Sequence, residues 1–579
     1  MSEISFSATA AGEVKVPDAN LRATSDSDVQ GASSEPLDHS RWGWFKASTD
    51  AIALPSAASP LINEELLPSP EERWTWSTWD YFAYWWSESW SVSSWSTGSA
   101  MVSVGASFRD AILINMTANV LSSVVIILNG RAASKYHVGY PILTRYTFGI
   151  YGQYIIVCLR LVLSIIWVHW RSTLLHWTND FDMSPLHLSQ DQHVTTGLMV
   201  AFLLAFIAAI PLAMLHTTKI RWVFTVKAVI VPAAAIGLVI WAVTTNHGIS
   251  ADKLIDPSLR TSGPAYTWTA FGHFNSVMGA NCALLVTVPD LARYAKTPRS
   301  QVFGQALGLP LTATISTALG IICTSAIKNM YGEAYWTLYP LFNAILDHDY
   351  SSKARAGVFF CAAAWAFAAI GTCVAANVIP FSADVTNLAP RYINIVRGQF
   401  ICLFIAWGIV PWQIVNNAAG FLNFLSGYSI FMGPIVGIMI IDYFVIRKGN
   451  LEIKDLYTYS PSGRYFYYKG FNLRAFFAFV VGFLLPLPGF GASFGYSISP
   501  TATRMYDLGW MISFVVGCLS YWVVSLVWKS AGDDAQLPRE SKVQEALHAV
   551  IEGIHLDLSV ADRTRETQGM PPAKPMELV

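Results

Sequence analysis

The polar residues with the most chemical potential lie within strongly apolar sequence. Glu88 lies in YWWSESWSVSSWSTGSAM, and Asn275 and Asn281 lie in the stretch 268–296. A charged side chain near the centre of a bilayer costs about 2.5 to 3.5 kcal/mol on insertion scales, so residues placed there commonly mark ion or solute pathways. Glu88 is therefore a candidate for binding a proton, and structural pairing with Lys227 is the alternative.

The stretch 268–296 combines residues that favour a break in a helix. Gly272 and Gly279 loosen it, and Pro289 followed by Asp290 ends it. Unwound backbone at bilayer depth is tolerated only where it is buried in protein or lines a water-filled cavity. We therefore expect a discontinuous helix that holds a small solute. An unbroken helix with small residues at a helix–helix contact is the alternative.

The composition is that of a polytopic membrane protein. Of the 579 residues, 53% are hydrophobic and 13% are charged, and the mean hydropathy is +0.40. The net charge of -1 provides no basic field, which argues against nucleic acid as a partner. The seven cysteines lie in or beside apolar runs, so we expect neither disulfides nor a metal site. The sequence lacks the HExxH and Walker-loop motifs, so we expect no enzyme and no cofactor.

Twelve runs of about 20 apolar residues predict membrane-spanning helices, called spans one to twelve below. They lie at 80–105, 110–130, 153–177, 195–215, 221–245, 267–289, 303–327, 356–384, 398–415, 418–444, 474–494 and 508–529. Lys and Arg concentrate in alternate loops, and the positive-inside rule then places both termini in the cytoplasm. We expect residues 1–75 to be a disordered cytoplasmic tail, 76–530 a transmembrane domain and 531–579 a second cytoplasmic tail.

An interruption also occurs in span one, where Ser residues, Glu88 and Gly98 stand within an otherwise apolar run. Spans one and six would then both be broken. Broken helices five spans apart are what two inverted repeats of five helices produce, with the solute bound at the interface between the repeats.

Five segments carry longer motifs in a consistent order between about residues 75 and 530. They are NGRAASKYHVGYPILTRYTFGIYG (129–152), VPDLARYAK (288–296), GTCVAANVIPFSADVTNLAPRYINIVRG (371–398), GYSIFMGPIVGIMIIDYF (427–444) and DLYTYSPSGRYFYYKGFNLRAFFAF (455–479). They resemble the nucleobase-cation symporter 1 family, in its fungal uracil, allantoin, uridine and thiamine permease branch.

The resemblance implies an all-α membrane protein with about 12 transmembrane helices. A five-plus-five inverted-repeat core, like that of the sodium-coupled amino-acid transporters, is followed by two further helices. It also implies proton-coupled uptake of a small planar heterocycle across the plasma membrane, with sodium as the less favoured coupling ion. A nutrient receptor of the same fold that does not transport is the alternative.

The resemblance also assigns solute-binding roles. Trp167 matches the tryptophan on which the ring of the solute stacks. Arg171 replaces the family's glutamine; because arginine only donates, the solute should offer adjacent acceptors or a carboxylate. Snorkelling of Arg171 to the outer interface is the alternative. Asn281 stands where some relatives have a second stacking tryptophan, and Asn275 is the alternative contact. Asn377 matches the solute-binding asparagine, with an interhelical hydrogen bond as its alternative role.

The coupling site is implied in the same way. Ala368, Gly371 and Thr372 match the positions at which sodium-coupled relatives bind the cation. Because Gly371 has no hydroxyl, the sequence favours a proton, and Glu88 is the expected carrier.

Gating residues are expected on both sides of the solute. Phe421, Phe424 and Phe431 of span ten are candidates for an aromatic gate, and ordinary helix packing is the alternative for each. Asp290, Arg293 and Arg391 are expected to close the inner gate.

Overall fold

The computed structural model describes residues 66–173, 196–213, 221–246, 263–390, 392–408, 418–457 and 461–530. These residues are almost entirely helical. Within the ranges just given, β pairing is confined to the isolated bridges Trp76–Ala295 and Tyr468–Phe471.

The α-helices are numbered in chain order. They are α1 (Thr78–Ser89), α2 (Val92–Ser103), α3 (Phe108–Tyr136), α4 (Tyr140–Phe148), α5 (Gln153–Thr173), α6 (Thr196–Ala213), α7 (Arg221–Thr245), α8 (Pro264–Ala292), α9 (Ser300–Tyr331), α10 (Leu338–His348), α11 (Ser352–Cys373), α12 (Ile379–Leu388), α13 (Ile395–Gly408), α14 (Ala418–Ile441), α15 (Leu473–Leu484), α16 (Leu487–Ala492), α17 (Pro500–Asp507) and α18 (Gly509–Val527). Two π-helical turns, Val374–Val378 and Asp442–Ile446, follow α11 and α14 directly.

Each of the twelve predicted spans falls on one of these helices or on a consecutive pair. Parts of spans three, four and nine lie outside the described residues. Six helical segments of the described chain are long and apolar enough to cross a membrane. They are Phe108–Tyr136, Val223–Thr245, Ser300–Tyr331, Ser352–Leu388, Ala418–Ile446 and Gly509–Val527.

The interruption predicted in span one is confirmed. A capping box starts α1, in which Asp80 accepts from the backbone N–H of Ser77 at 2.9 Å. The helix ends at Ser89, and α2 starts again at Val92. The Ser91 hydroxyl accepts the N–H of Ser94, so it satisfies a backbone donor that the break leaves open.

The break predicted in span six is wrong, because α8 runs without interruption from Pro264 to Ala292. Its small residues serve close packing instead. A Cβ at Gly279 would lie 2.0 Å from the carbonyl oxygen of Leu425 on α14, so only glycine permits this approach. The Ser276 hydroxyl contacts the carbonyl oxygen of Leu422 at 3.1 Å. The alternative interpretation, an unbroken helix with small residues at a helix contact, is therefore the correct one.

One end of the bundle, called the α4 end below, consists of α4, the α8–α9 junction and residues 447–457 and 461–472. Every residue of α4 is buried there. Residues 66–76 also pack at this end: Trp74 stacks on His137 with ring centroids 3.7 Å apart. Residues 66–75, which the sequence assigned to the N-terminal tail, thus pack at this end of the bundle. The remainder of the two predicted tails lies outside the described residues.

Candidate functional site

Three aromatic rings from two helices form a group around Trp167 of α5, which is 3% exposed. The ring of Trp167 lies 6.2 Å from that of Phe424 and 6.3 Å from that of Tyr428. Phe424 and Tyr428 belong to α14 and are 5.2 Å apart. We call these three residues the aromatic cluster. Its indole and phenyl faces are suited to stacking on a flat ring.

Tyr428 also ties the aromatic cluster to α8. Its hydroxyl donates to the carbonyl oxygen of Gly279 at 2.6 Å. The sequence indicated Trp167 and Phe424 but not Tyr428, although an aromatic residue one turn after Phe424 on the same helix face was a usable signal. Arg171 belongs to the last turn of α5, and its side chain lies outside the described part of the structure.

Asn377 lies in the π turn Val374–Val378 and is 4% exposed. Within the described residues, its side-chain nitrogen Nδ2 is buried without a hydrogen-bond partner. Leaving a buried amide donor unsatisfied costs about 1 to 3 kcal/mol. Single π turns inside α-helices frequently occur at functional sites. Because α5 packs directly on this turn, the amide belongs to the same region of the bundle as Trp167.

Of the three residues expected to bind a cation, Thr372 is hydrogen-bonded to a lysine. The ammonium group of Lys227 on α7 is fully buried and donates to the hydroxyl of Thr372. A Cβ at Gly371 would lie 3.2 Å from Val223 and 4.0 Å from the Lys227 side chain. Glycine at this position thus lets α7 lie close to α11. Ala368, one turn earlier on α11, is fully buried.

Glu88 is 5% exposed in the last turn of α1. The hydroxyl of its neighbour Ser87 donates to the carbonyl oxygen of Phe224 at 3.2 Å, one turn before Lys227 on α7. Glu88 and Lys227 thus belong to helices in direct contact.

The two asparagines of α8 hold helices together. Asn275 accepts the backbone N–H of Trp510 at 2.8 Å and donates to the carbonyl oxygen of Tyr506 at 3.2 Å, so it caps the start of α18. Asn281 donates to Asn119 at 2.8 Å and to Ser122 on α3 at 3.0 Å. Both N–H donors of Asn281 are therefore used, and a solute could reach only its carbonyl oxygen.

The three phenylalanines of span ten do not form one gate. Phe421 stacks on Trp336, with ring centroids 5.4 Å apart. Phe431 packs against Phe483, with ring centroids 5.1 Å apart. Phe424 contacts Trp167 and, with Tyr428, belongs to the aromatic cluster.

A buried cluster of charges lies closer to the α4 end. Arg160 of α5 is 1% exposed and donates through Nε to Asp384 of α12 at 2.5 Å and through Nη1 to Asp290 of α8 at 3.0 Å. Its third nitrogen, Nη2, also bonds Asp384. The ring of Tyr140 packs 3.9 Å from the guanidinium carbon. We call Arg160, Asp290 and Asp384 the charge cluster.

The sequence placed Asp290 at a gate, but with Arg293 and with Arg391, which lies outside the described residues. Neither Arg160 nor Asp384 was predicted to act there. Ionisable residues inside apolar spans were the signal that could have identified both.

Comparison with known proteins identifies the kind of molecule. The sequence profile of a family described as permease for cytosine/purines, uracil, thiamine and allantoin matches residues 68–513. The chain belongs to this permease family. Among its relatives in Saccharomyces cerevisiae, an allantoin permease is 30% identical over 86% of this chain and 82% of its own length. A uridine permease is 29% identical over 84% of this chain and 77% of its own length.

The fold agrees with the family. Mhp1, a nucleobase-cation-symport-1 family transporter solved in a closed conformation with bromovinylhydantoin bound, gives a TM-score of 0.62. That match has 19% sequence identity and covers 84% of this chain and all of Mhp1. The predicted fold class is therefore confirmed. As a member of the permease family, the chain is a membrane transporter and not an enzyme, and these comparisons give no support to the receptor alternative.

Proposed function

We propose that this permease carries a small planar heterocycle, of the class that includes allantoin, uracil and uridine, into the cell together with a proton. The observation that carries the proposal is the buried, unpartnered amide nitrogen of Asn377, set in a π turn against the helix of Trp167. A heterocyclic ring with a carbonyl group would accept from this amide and supply the hydrogen bond that its Nδ2 lacks within the described residues.

The aromatic cluster supplies the second half of recognition. Stacking on Trp167, which Phe424 and Tyr428 flank, orients the ring of the solute but does not distinguish the substituents of that ring. The Asn377 amide then distinguishes solutes by their donors and acceptors. The relatives, which include an allantoin permease and a uridine permease, agree with flat solutes rich in carbonyl and N–H groups.

The proton is the proposed coupling ion because Lys227 places an ammonium group on Thr372. A fixed positive charge there repels a sodium ion, and Gly371 offers no hydroxyl ligand. Glu88, on the neighbouring α1, remains the proposed proton carrier. Proton loading at Glu88 would change the net charge beside the Lys227 ammonium group, and this links protonation to the packing of α1, α7 and α11.

The α4 end is proposed to face the cytoplasm, with both termini on the same side and the protein in the plasma membrane. The helix ends and loops at this end hold Arg131, Lys135, Arg145, Arg293, Lys296, Arg447, Lys448 and Lys469. Such an excess of basic residues marks the cytoplasmic side of a membrane protein.

Uptake by a permease-deficient yeast that expresses the chain tests this function. Cells are offered labelled allantoin, uracil, uridine or thiamine, with and without a protonophore and with sodium replaced by choline. We expect accumulation of one heterocycle that the protonophore abolishes and that choline leaves unchanged. Sodium-dependent accumulation would contradict proton coupling. Absence of accumulation of every solute, despite confirmed surface expression, would contradict the proposed solute class.

The matched variants are Asn377→Ala and Asn423→Ala. Asn377→Ala should lose uptake while the protein still reaches the surface. Asn423 is exposed on α14, so its variant removes the same amide chemistry outside the proposed site and should transport normally. Normal uptake by Asn377→Ala would exclude Asn377 as a solute ligand.

A further inference from the structure

The charge cluster lies directly beneath the proposed solute site, on the same helices. Arg160 precedes Trp167 by seven residues on α5, and Asp384 follows Asn377 by seven residues along span eight. Seven residues make about two helical turns, or about 10.5 Å, and return a side chain to nearly the same face. Asp290 is likewise on α8, the helix whose Gly279 carbonyl receives the hydroxyl of Tyr428. Three segments of the solute site, α5, α8 and span eight, therefore each also carry one residue of the charge cluster toward the α4 end.

The bonds of the charge cluster join three helices by one side chain. All three guanidinium nitrogens of Arg160 are engaged, two with Asp384 and one with Asp290. The side chains of Arg160 and Asp384 are 2% and 0% exposed, so no solute passes between α5 and α12 while they are bonded. Ionised pairs in such surroundings are the stronger kind of hydrogen bond, with a fixed fork geometry.

The bonds continue to α4 and to a second layer of contacts. Asp290 accepts the backbone N–H of Tyr140 at 2.8 Å, at the first turn of α4, where a carboxylate is favourable. Further along, Arg145 of α4 donates to Asn387 at 2.8 Å, and Asn387 donates to Gln153 at 2.7 Å. A second set of hydrogen bonds therefore connects α4, α5 and α12 closer to the α4 end, and it is made by Arg145, Asn387 and Gln153.

We infer that Arg160, with Asp384 and Asp290, is the release gate on the α4 side of the solute site. The inference rests on the proposed function, because a transporter must open a path from its site to each side in turn. Opening the path toward the α4 end requires α5, α8 and α12 to separate, and the charge cluster is the set of bonds that holds them together. Arg160 is a positioning residue here: it acts through two carboxylates and does not touch the solute.

A reporter thiol inside the closed path tests the gate. Ser164 lies between Arg160 and Trp167 on the same face of α5 and is 7% exposed. The Ser164→Cys chain is reacted with a charged, membrane-impermeant methanethiosulfonate in inside-out and in right-side-out vesicles, without solute. The unsubstituted chain gives the background from the native cysteines. Adding Asp384→Asn should raise the labelling rate of the reporter several-fold from the α4 side and lower it from the opposite side.

The matched control breaks a different buried pair at the same end. Arg447 bonds Asp442 at 3.2 Å, and both side chains are buried. Asp442→Asn should leave labelling of the reporter unchanged, which separates gating from general loosening. Arg160→Lys keeps the charge but cannot bond both carboxylates through a fork, so it should give an intermediate increase. If Asp384→Asn fails to reach the membrane, Asp290→Asn provides the same readout.

Unchanged labelling from both sides, with a reporter that reacts fully once the protein is denatured, would overturn the inference. An equal increase with Asp442→Asn would also overturn it. Because labelling needs no solute, it is independent of the uptake assay. Selective opening by Asp384→Asn without uptake of any solute by the unsubstituted chain would keep the gate and contradict the solute class. Normal uptake by the unsubstituted chain, with labelling that Asp384→Asn leaves unchanged, would keep the solute class and contradict the gate.

Discussion

Replacing Gly279 by alanine tests whether α8 is packed through its centre or unwound there. The added Cβ would lie 2.0 Å from the carbonyl oxygen of Leu425, about 1.4 Å short of the 3.4 Å at which ordinary contact begins. The obstructing atom is backbone, so α14 as a whole must withdraw. Such overpacking typically costs about 1 to 3 kcal/mol. The gain in helix propensity from glycine to alanine, about 1 kcal/mol at most, does not offset this cost.

The same displacement acts on the aromatic cluster. The hydroxyl of Tyr428 is 2.6 Å from the Gly279 carbonyl oxygen, and a withdrawal of about 1.4 Å takes that pair beyond hydrogen-bond distance. Loss of this bond contributes about 1 kcal/mol more. We therefore expect Gly279→Ala to lower both the melting temperature and the rate of uptake.

Thermal unfolding of the detergent-solubilised protein, alongside uptake, measures these effects. Gly237→Ala on α7 and Gly357→Ala on α11 are matched controls, because a Cβ at either position meets nothing within 4 Å. Both should be neutral or slightly stabilising. If Gly279→Ala melts and transports like the two controls, the close contact between α8 and α14 does not exist, and an unwound centre of span six becomes the better explanation.

Three further outcomes are expected. Lys227→Met should abolish protonophore-sensitive accumulation but retain exchange of labelled for unlabelled solute. Lys353→Met, at an exposed position, is its control. Intact accumulation by Lys227→Met would exclude Lys227 from coupling. Arg171→Gln should shift competition for uptake toward neutral pyrimidines, and an unchanged solute profile would exclude Arg171 from the site. Burial lowers the pKa of His137 below its ordinary 6.5, although the hydrogen bond to the Arg293 carbonyl oxygen opposes this shift. Neutral His137 therefore stabilises its stack with Trp74 above pH 6.5. This stability is lost as the pH falls below 6.5. The protection of amides in residues 66–76, expressed relative to their intrinsic exchange rate at each pH, should therefore fall between neutral pH and about pH 5, and unchanged protection would contradict the argument.

Local sequence was enough to position the membrane helices. A span requires only about 20 apolar residues to match the thickness of a bilayer, and every predicted span falls on a helix. The break in span one was also readable, because a short run of Ser with Glu88 supplies both the polarity and the capping oxygen of Ser91 that a new helix start needs. Trp167 and Asn377 were predicted to bind the solute from the family motifs and not from local physical chemistry.

Tertiary structure decided what each polar or small residue contacts. Glycine favours both unwinding and close packing, and only the approach of Leu425 to Gly279 distinguishes the two. The partner of Asp290 is Arg160, 130 positions away in the sequence, and the partner of Arg160 in span eight is 224 positions away. Hydropathy is a property of each segment alone, whereas a hydrogen bond between spans depends on how the helices rotate and pack. The sequence therefore determined where the chain crosses the membrane, and the packing of the helices determined which residues come together in the proposed site and its proposed gate.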